Sequence, residues 1–259
     1  IQDKDKYNTP KYRLVARITS TRVIAQVVYS TIQGDRVFIA ADSQELRRWG
    51  LNTGLSNYAS AYATGLLIAR RLLQKVGLDT AYTGNTDTGK TYDVSQHVGD
   101  RRPFKVILDT GLKATTTGSK VFAVLKGAAD GGLYVPHSAT RFPGQVEGEE
   151  NKVLRNRILG GHVDDYIKTL KGSDRFELQF KRWNETLKAS GAASVAKLYE
   201  KIHAEIRKNP TFTKKAAPAN PKRDHKKFKL ARLTGAQRHE NVKKRIEIRL
   251  KELKKTQKK

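Results

Sequence analysis

Cysteine and methionine are both absent from these 259 residues, and acidic side chains number only 25 against 51 Lys and Arg. Without cysteine there is no disulfide, no thiolate metal ligand and no cysteine nucleophile, so the redox compartment leaves no mark. Without methionine the chain lacks even an initiator, and it reads as a piece whose native N-terminus is missing. No uninterrupted apolar run reaches the roughly 18 residues that a membrane-spanning helix needs. A signal-peptide pattern is also lacking, so the sequence reads as soluble and not secreted. The six histidines never take the HExxH spacing, and His137 and His162 read as packing or solvent residues ahead of metal ligands. Asp164 and Asp165 are adjacent on one predicted helix, which is poor geometry for paired acid and base chemistry. No Gly-x-Ser-x-Gly elbow is present.

Basic residues dominate what remains. The formal charge is +26 and the isoelectric point is near 10.2, so the compact chain repels itself unless a polyanion screens it. That favours a phosphate-rich partner over an ordinary charged surface. Apolar residues make up 37% and aromatics 8%. This is lean but sufficient for a core, so one part of the chain is expected to fold and another to depend on its partner. The charge is also divided unevenly. Residues 214–259 hold 18 Lys and Arg against 4 Asp and Glu, net +14, and the rest hold 33 against 21, net +12.

Apolar periodicity sets out the elements. Tyr12, Leu14, Ala16 and Ile18 alternate with Arg13, Val15 and Arg17, which predicts a strand turning two arginines outward. A turn at 19–21 leads to a more apolar strand over 23–29, and Gly34-Asp35 supplies a second turn before a strand over 36–41. An antiparallel meander is the simplest arrangement. Leu55, Ala59, Tyr62, Leu66, Ala69, Leu73 and Val76 then recur at helical steps up to Gly77, a C-cap glycine. Arg70, Arg71 and Lys75 sit where they oppose the negative end of that helix dipole. Residues 77–103 read as an irregular excursion, and 104–109 as a strand. A shorter helix follows, with Thr117 as N-cap, Gly127 as a weak point and Gly131-Gly132 as its end.

The fold class is therefore α/β: a mixed sheet beginning with a three-strand antiparallel meander, covered by helices, with helical and basic C-terminal extensions. Residues 1–143 form the core, 144–208 a helical extension with two or three amphipathic helices, and 209–259 a basic linker and tail. The clearest of those helices presents Val195, Leu198, Ile202 and Ile206 and stops at Asn209-Pro210. Val242, Ile246 and Leu250 predict a late helix with a narrow apolar stripe. A basic tail of this kind suits RNA better than a membrane surface or a calmodulin-like partner.

One motif points elsewhere. Gly84, Gly89, Lys90 and Thr91 match the Gly-x4-Gly-Lys-Thr letters of a phosphate-binding loop. Such a loop needs a buried strand before it and a helix beginning at the Lys-Thr pair, so that amides and dipole meet the phosphates. Here a helix precedes it and turn-like sequence follows. A nucleotide-binding enzyme is thus the weaker alternative, and a chromatin-associated structural protein is a second. Nucleic-acid contact is better served by segments that mix arginine, lysine and aromatic rings: Lys11-Tyr12-Arg13, Arg47-Arg48-Trp49 and Arg141-Phe142.

Longer segments are more specific. The runs KYRLVAR (11–17), GLSNYASAYATGLLIARR (54–71), LDTGLKATTTGSKVFAVLKGAADGGLYVPHSATRFPG (108–144) and GGHV (160–163) resemble the eukaryotic and archaeal large-subunit ribosomal proteins that bind 5S rRNA. The resemblance implies a noncatalytic core that recognises 5S rRNA in the central protuberance, beside a neighbouring 5S-binding ribosomal protein, with extensions reaching into large-subunit rRNA. It implies no cofactor beyond the magnesium that RNA can carry, no membrane and no homo-oligomer. It also implies residence in the cytoplasmic ribosome after assembly begins in the nucleus or nucleolus. The family's basic N-terminal arm has no counterpart before Ile1. Arg13, Arg17, Asn57, Thr115, Thr116, Thr117, Lys120 and Arg141 match positions in the characteristic segments. Asn57 and the threonines are equally suited to capping or orienting backbone. Lys11, Arg47 and Arg48 join them as RNA-contact candidates, with Lys90, Arg101 and Arg102 as lineage-specific contacts and Lys222, Arg223, Lys226 and Lys227 in the tail.

Overall fold

Alternation along the first strands decides the architecture. The computed structural model describes residues 9–96, 101–144, 151–173, 175–213 and 231–256. Strands β1 (Tyr12–Ile18), β2 (Val23–Thr31) and β3 (Gly34–Asp42) form the antiparallel meander. Leu14, Ala16, Val23, Ala25, Val27 and Ala41 are buried on one face, and Arg13, Val15 and Arg17 lie on the other. The second turn falls at Ile32-Gln33, two residues earlier than expected, and Gly34 already opens β3. Glycine permits this because it re-enters the ladder at φ +127°. The Thr31 hydroxyl then donates to the Gly34 carbonyl at 2.7 Å.

β4 (Ile107–Asp109) lies parallel to β1 and gives the order β3-β2-β1-β4. Parallel neighbours need a long crossover, and α1 (Tyr58–Val76) lies within it. Asn57 caps α1, its Oδ1 accepting from the Ser60 N–H at 2.7 Å, and Gly77 ends it in the left-handed region. The apolar stripe underestimates this helix, because every residue from Tyr58 to Leu73 is buried. The sheet packs on it, as do α2 (Lys120–Asp130), α3 (Lys152–Leu159) and α6 (Val195–Lys208). Arg70 and Arg71 are therefore internal struts and not dipole-facing surface charges. Arg70 donates to the Tyr82 and Asp79 carbonyls, and Arg71 to the Pro210 and Ala40 carbonyls and the Glu45 carboxylate.

Glycines set how closely α1 and α2 approach. A Cβ on Gly65 would stand 2.1 Å from the Val124 carbonyl oxygen, and one on Gly127 would stand 2.1 Å from that of Tyr62. Gly127 is thus a packing requirement and not a weak point. The α2 cap also differs from expectation: Ser119 takes the N-cap position, without a side-chain cap bond, in place of Thr117. Gly118, at φ +80°, turns the chain between them and donates its N–H to the Arg141 carbonyl at 3.0 Å.

Among the described residues of 151–208 there are four helices where two or three were expected: α3, α4 (Gly161–Leu170), α5 (Arg175–Ser190) and α6. Gly160, Gly172 and Gly191, each at positive φ, cut the helical run into short pieces. Asp164 of α4 accepts from the Val195 and Ala196 N–H groups at 3.0 and 3.1 Å and so holds the start of α6. The chain divides into two compact units, 1–212 and 213–259. In the second, α7 (Gly235–Thr256) leaves Val242, Ile246 and Leu250 exposed.

Candidate nucleic-acid interface

On the outer face of the sheet the two β1 arginines meet carboxylates that sequence spacing could not pair with them. Arg13 reaches Asp109 at 3.0 Å and Asp35 at 2.5 Å, and Arg17 reaches Asp109 at 3.1 Å. Parallel pairing of Val15 with Asp109 creates this cluster. The Arg17 guanidinium lies over Gly111, where a Cβ would come within 2.7 Å of its Cζ. Burial works to raise the Asp109 pKa, but hydrogen bonds from Arg17 and the Gly111 N–H, with the charges of Arg17 and Arg13, hold it below the usual carboxylate range. These arginines are half-exposed and oriented, with their charge largely offset.

The other candidates separate into two groups. Arg48 donates to the Thr211 and Asn209 carbonyls at 2.5 and 2.7 Å and lies 3.9 Å over the Trp49 ring, so it ties the chain after α6 to the 3-10 helix Ser43–Trp49. Phe142 is buried against His137 and offers no ring to a base. By contrast Lys11, Arg47, Arg101, Arg102, Thr115, Thr116, Thr117, Lys120 and Arg141 are all exposed. Lys222, Arg223, Lys226 and Lys227 lie outside the described residues.

Three of these residues converge. Asn57, Thr117 and Lys120 line a groove of about 470 Å³ together with Tyr58, Arg157 and His162. Its position follows from the fold: Asn57 and Tyr58 begin α1, Thr117 and Lys120 begin α2, Arg157 lies on α3 and His162 on α4. Neither α1 nor α2 has an acidic residue in its first turn, so two positive helix ends face the groove without a neutralising carboxylate. Lys120 and Arg157 are exposed and have no acidic partner among the described residues. Burial pushes the Tyr58 hydroxyl pKa up, against the pull of the Arg157 charge. Burial, followed by that same charge, lowers the pKa of His162 and favours the neutral ring. Composition and charge had not singled out Tyr58 or Arg157, and His162 had read as a packing or solvent residue. The available signal was their neighbourhood, since Tyr58 and His162 fall within the family-like segments 54–71 and 160–163.

The Gly84 to Thr91 segment lacks the phosphate-loop frame. The chain enters it from α1 through turns and not from a strand, and among the described residues no helix begins at Lys90-Thr91. Gly84 sits against the Asp130 carbonyl, 2.2 Å from where its Cβ would be, and the Lys90 carbonyl accepts from Lys126 Nζ at 2.6 Å. The segment thus packs on a buried polar network in which Lys126 meets Asp130 at 2.6 Å and the Tyr62 hydroxyl donates to Asp130 at 2.7 Å. Among the described residues no group of three His, Asp or Glu is placed to hold a metal ion, and no helix is long and apolar enough to cross a membrane.

Residues 1–138 match the family described as ribosomal large subunit proteins 60S L5 and 50S L18, and residues 195–251 match the ribosomal L18 C-terminal region. Large ribosomal subunit protein uL18 of Tetrahymena thermophila is 55% identical, over 96% of this chain and 87% of its own length. The Caenorhabditis elegans protein of that name is 50% identical over 97% and 86%, and the one from Oryza sativa subsp. indica 47% over 95% and 81%. A chain that this family model matches over residues 1–138, and that is 47–55% identical to these relatives over nearly its whole length, belongs to the uL18 family of large-subunit ribosomal proteins.

Proposed function

We propose that residues 1–212 recognise 5S rRNA without catalysis and that the basic tail contacts large-subunit rRNA. As a uL18 family member the chain is a structural constituent of the large ribosomal subunit and not an enzyme. The finer reading is that it anchors 5S rRNA in the central protuberance beside a neighbouring 5S-binding ribosomal protein. It joins 5S rRNA in the nucleus or nucleolus before residing in the cytoplasmic ribosome.

The observation that carries this reading is the groove at the starts of α1 and α2, where Lys120 and Arg157 stand beside two helix ends without acidic partners. Phosphates are drawn to such a place, and the fixed shape around it supplies registration. Exposed Thr115, Thr116, Thr117 and Arg141 extend the same surface, since the Gly118 N–H bonds the Arg141 carbonyl. Arg13 and Arg17, pre-oriented by Asp109, present a second edge, with Lys11, Arg47, Arg101 and Arg102 as outlying contacts. Lys222, Arg223, Lys226 and Lys227 supply attraction with little sequence preference.

A binding titration at fixed salt, comparing 5S rRNA with structured RNAs of matched length, tests the reading. Preference for 5S rRNA that Lys120→Ala or Arg157→Ala weakens about tenfold is the expected result. Equal affinity for all the RNAs would sink it.

A further inference from the structure

The groove between the starts of α1 and α2 contains unmatched polar chemistry as well as charge. Asn57 Nδ2, the Tyr58 hydroxyl and His162 Nδ1 are buried without a hydrogen-bond partner among the described residues, and all three residues line it. Tyr58 as a whole is only 7% exposed. Buried polar atoms are ordinarily matched, and an unmatched one destabilises the fold. Three in a single groove that two unpaired cations also line call for a ligand that matches them.

We propose that this groove seats one unpaired ribonucleotide of the RNA partner, its phosphate against Lys120, Arg157 and the two helix starts and its ribose hydroxyl against Asn57, Tyr58 and His162. The inference rests on the RNA-binding reading above and names what the groove reads. Phosphate oxygens only accept hydrogen bonds, and the two cations answer that need beside the start of α2, which has no side-chain cap bond. The buried set is different. Asn57 Nδ2 donates, the Tyr58 hydroxyl can do either, and a neutral imidazole has one donor and one acceptor nitrogen. A group that both donates and accepts satisfies such a set, and the 2′-hydroxyl is the one that separates RNA from DNA. The three atoms lie out of solvent contact, so the ribose reaches them as the exposed, flexible Lys120 and Arg157 side chains swing onto the phosphate.

Tyr58→Phe in the full chain keeps the ring and removes the unmatched oxygen. The variant should unfold at the same denaturant concentration or a higher one, while its affinity for 5S rRNA falls about fivefold. Acylation of 2′-hydroxyls, read nucleotide by nucleotide, should show one unpaired nucleotide protected by the parent chain. Tyr58→Phe and Arg157→Ala should both release it, with the other protections kept. A 2′-deoxy substitution at that nucleotide should weaken the parent by a similar factor and leave Tyr58→Phe unaffected. Unchanged affinity and protection in Tyr58→Phe overturns the inference, as does an equal deoxy penalty in both chains. Adenosine monophosphate, used as a competitor, should not displace the RNA at concentrations near that of the protein; displacement would assign the groove to a soluble nucleotide instead. A parent chain with no preference for 5S rRNA points to failure of the RNA-binding reading itself, whatever the variants do.

Discussion

His203 shows how a single residue can couple stability to pH. It is 8% exposed, lies against the Tyr62 and Tyr199 rings, and has no partner for Nε2 among the described residues. Burial, then the nearby Arg207 charge, pushes its pKa down from 6.5 to about 3. Between those values the unfolded chain binds the proton and the folded chain does not. Stability is therefore full above pH 6.5 and falls as pH drops below it, by up to about 1.4 kcal/mol per pH unit from this group. Denaturant midpoints taken from pH 7.5 to about 5 should decline for the parent and flatten for His203→Gln. A parent curve that is flat across this window would show that His203 is not held neutral. Nothing in the periodicity around His203 marks it as different from the surface histidines. Its environment is assembled from α1 and α6, which are far apart in the chain.

At the scale of elements, the crossing of α1 and α2 is the tightest joint in the core. Gly65 and Gly127 each face the other helix's backbone, so neither position has room for a methyl group. Gly127→Ala should cost about 3 kcal/mol, despite the better helix propensity of alanine, because one backbone or the other must shift. Chemical denaturation of the full chain measures this, and a cost below about 0.5 kcal/mol would mean that the crossing is loose. The sequence identified both helices by their apolar spacing and the end of α1 by Gly77. It misread Gly127, because propensity judges a residue against its own helix while the constraint lies in a second one. The same limit applies to Thr117 and Ser119, where Gly118 and its bond to the Arg141 carbonyl decide which residue caps α2.

For the whole molecule, charge is the main variable. The proposed tail contacts add affinity that salt screens, and each neutralised phosphate contributes about 0.7 to 0.9 to the slope of log affinity against log salt. Replacing Lys222, Arg223, Lys226 and Lys227 together by Gln should flatten that slope by up to about 3.6 while keeping the preference for 5S rRNA. An unchanged slope would remove these four residues from the interface. The uneven division of charge, net +14 in 214–259 and +12 before it, was legible from composition alone, as was the need for a polyanion. Residue order, through alternation, helical spacing and longer runs, also made legible the meander, α1, the family segments and the boundary of α6 at Asn209-Pro210.

Sequence by itself determined these features because alternation, helical spacing and charge are local quantities that add along a chain. Tertiary structure alone decided which cations are matched and which are not. Parallel pairing of β4 with β1 brings Asp109 to Arg13 and Arg17, and the chain after α6 occupies Arg48. Lys120 and Arg157 remain without an acidic partner among the described residues, over a groove built from four helices. The physical reason is that a charge acts on what lies within a few ångströms of it, and residues far apart in the chain become neighbours only when the fold closes.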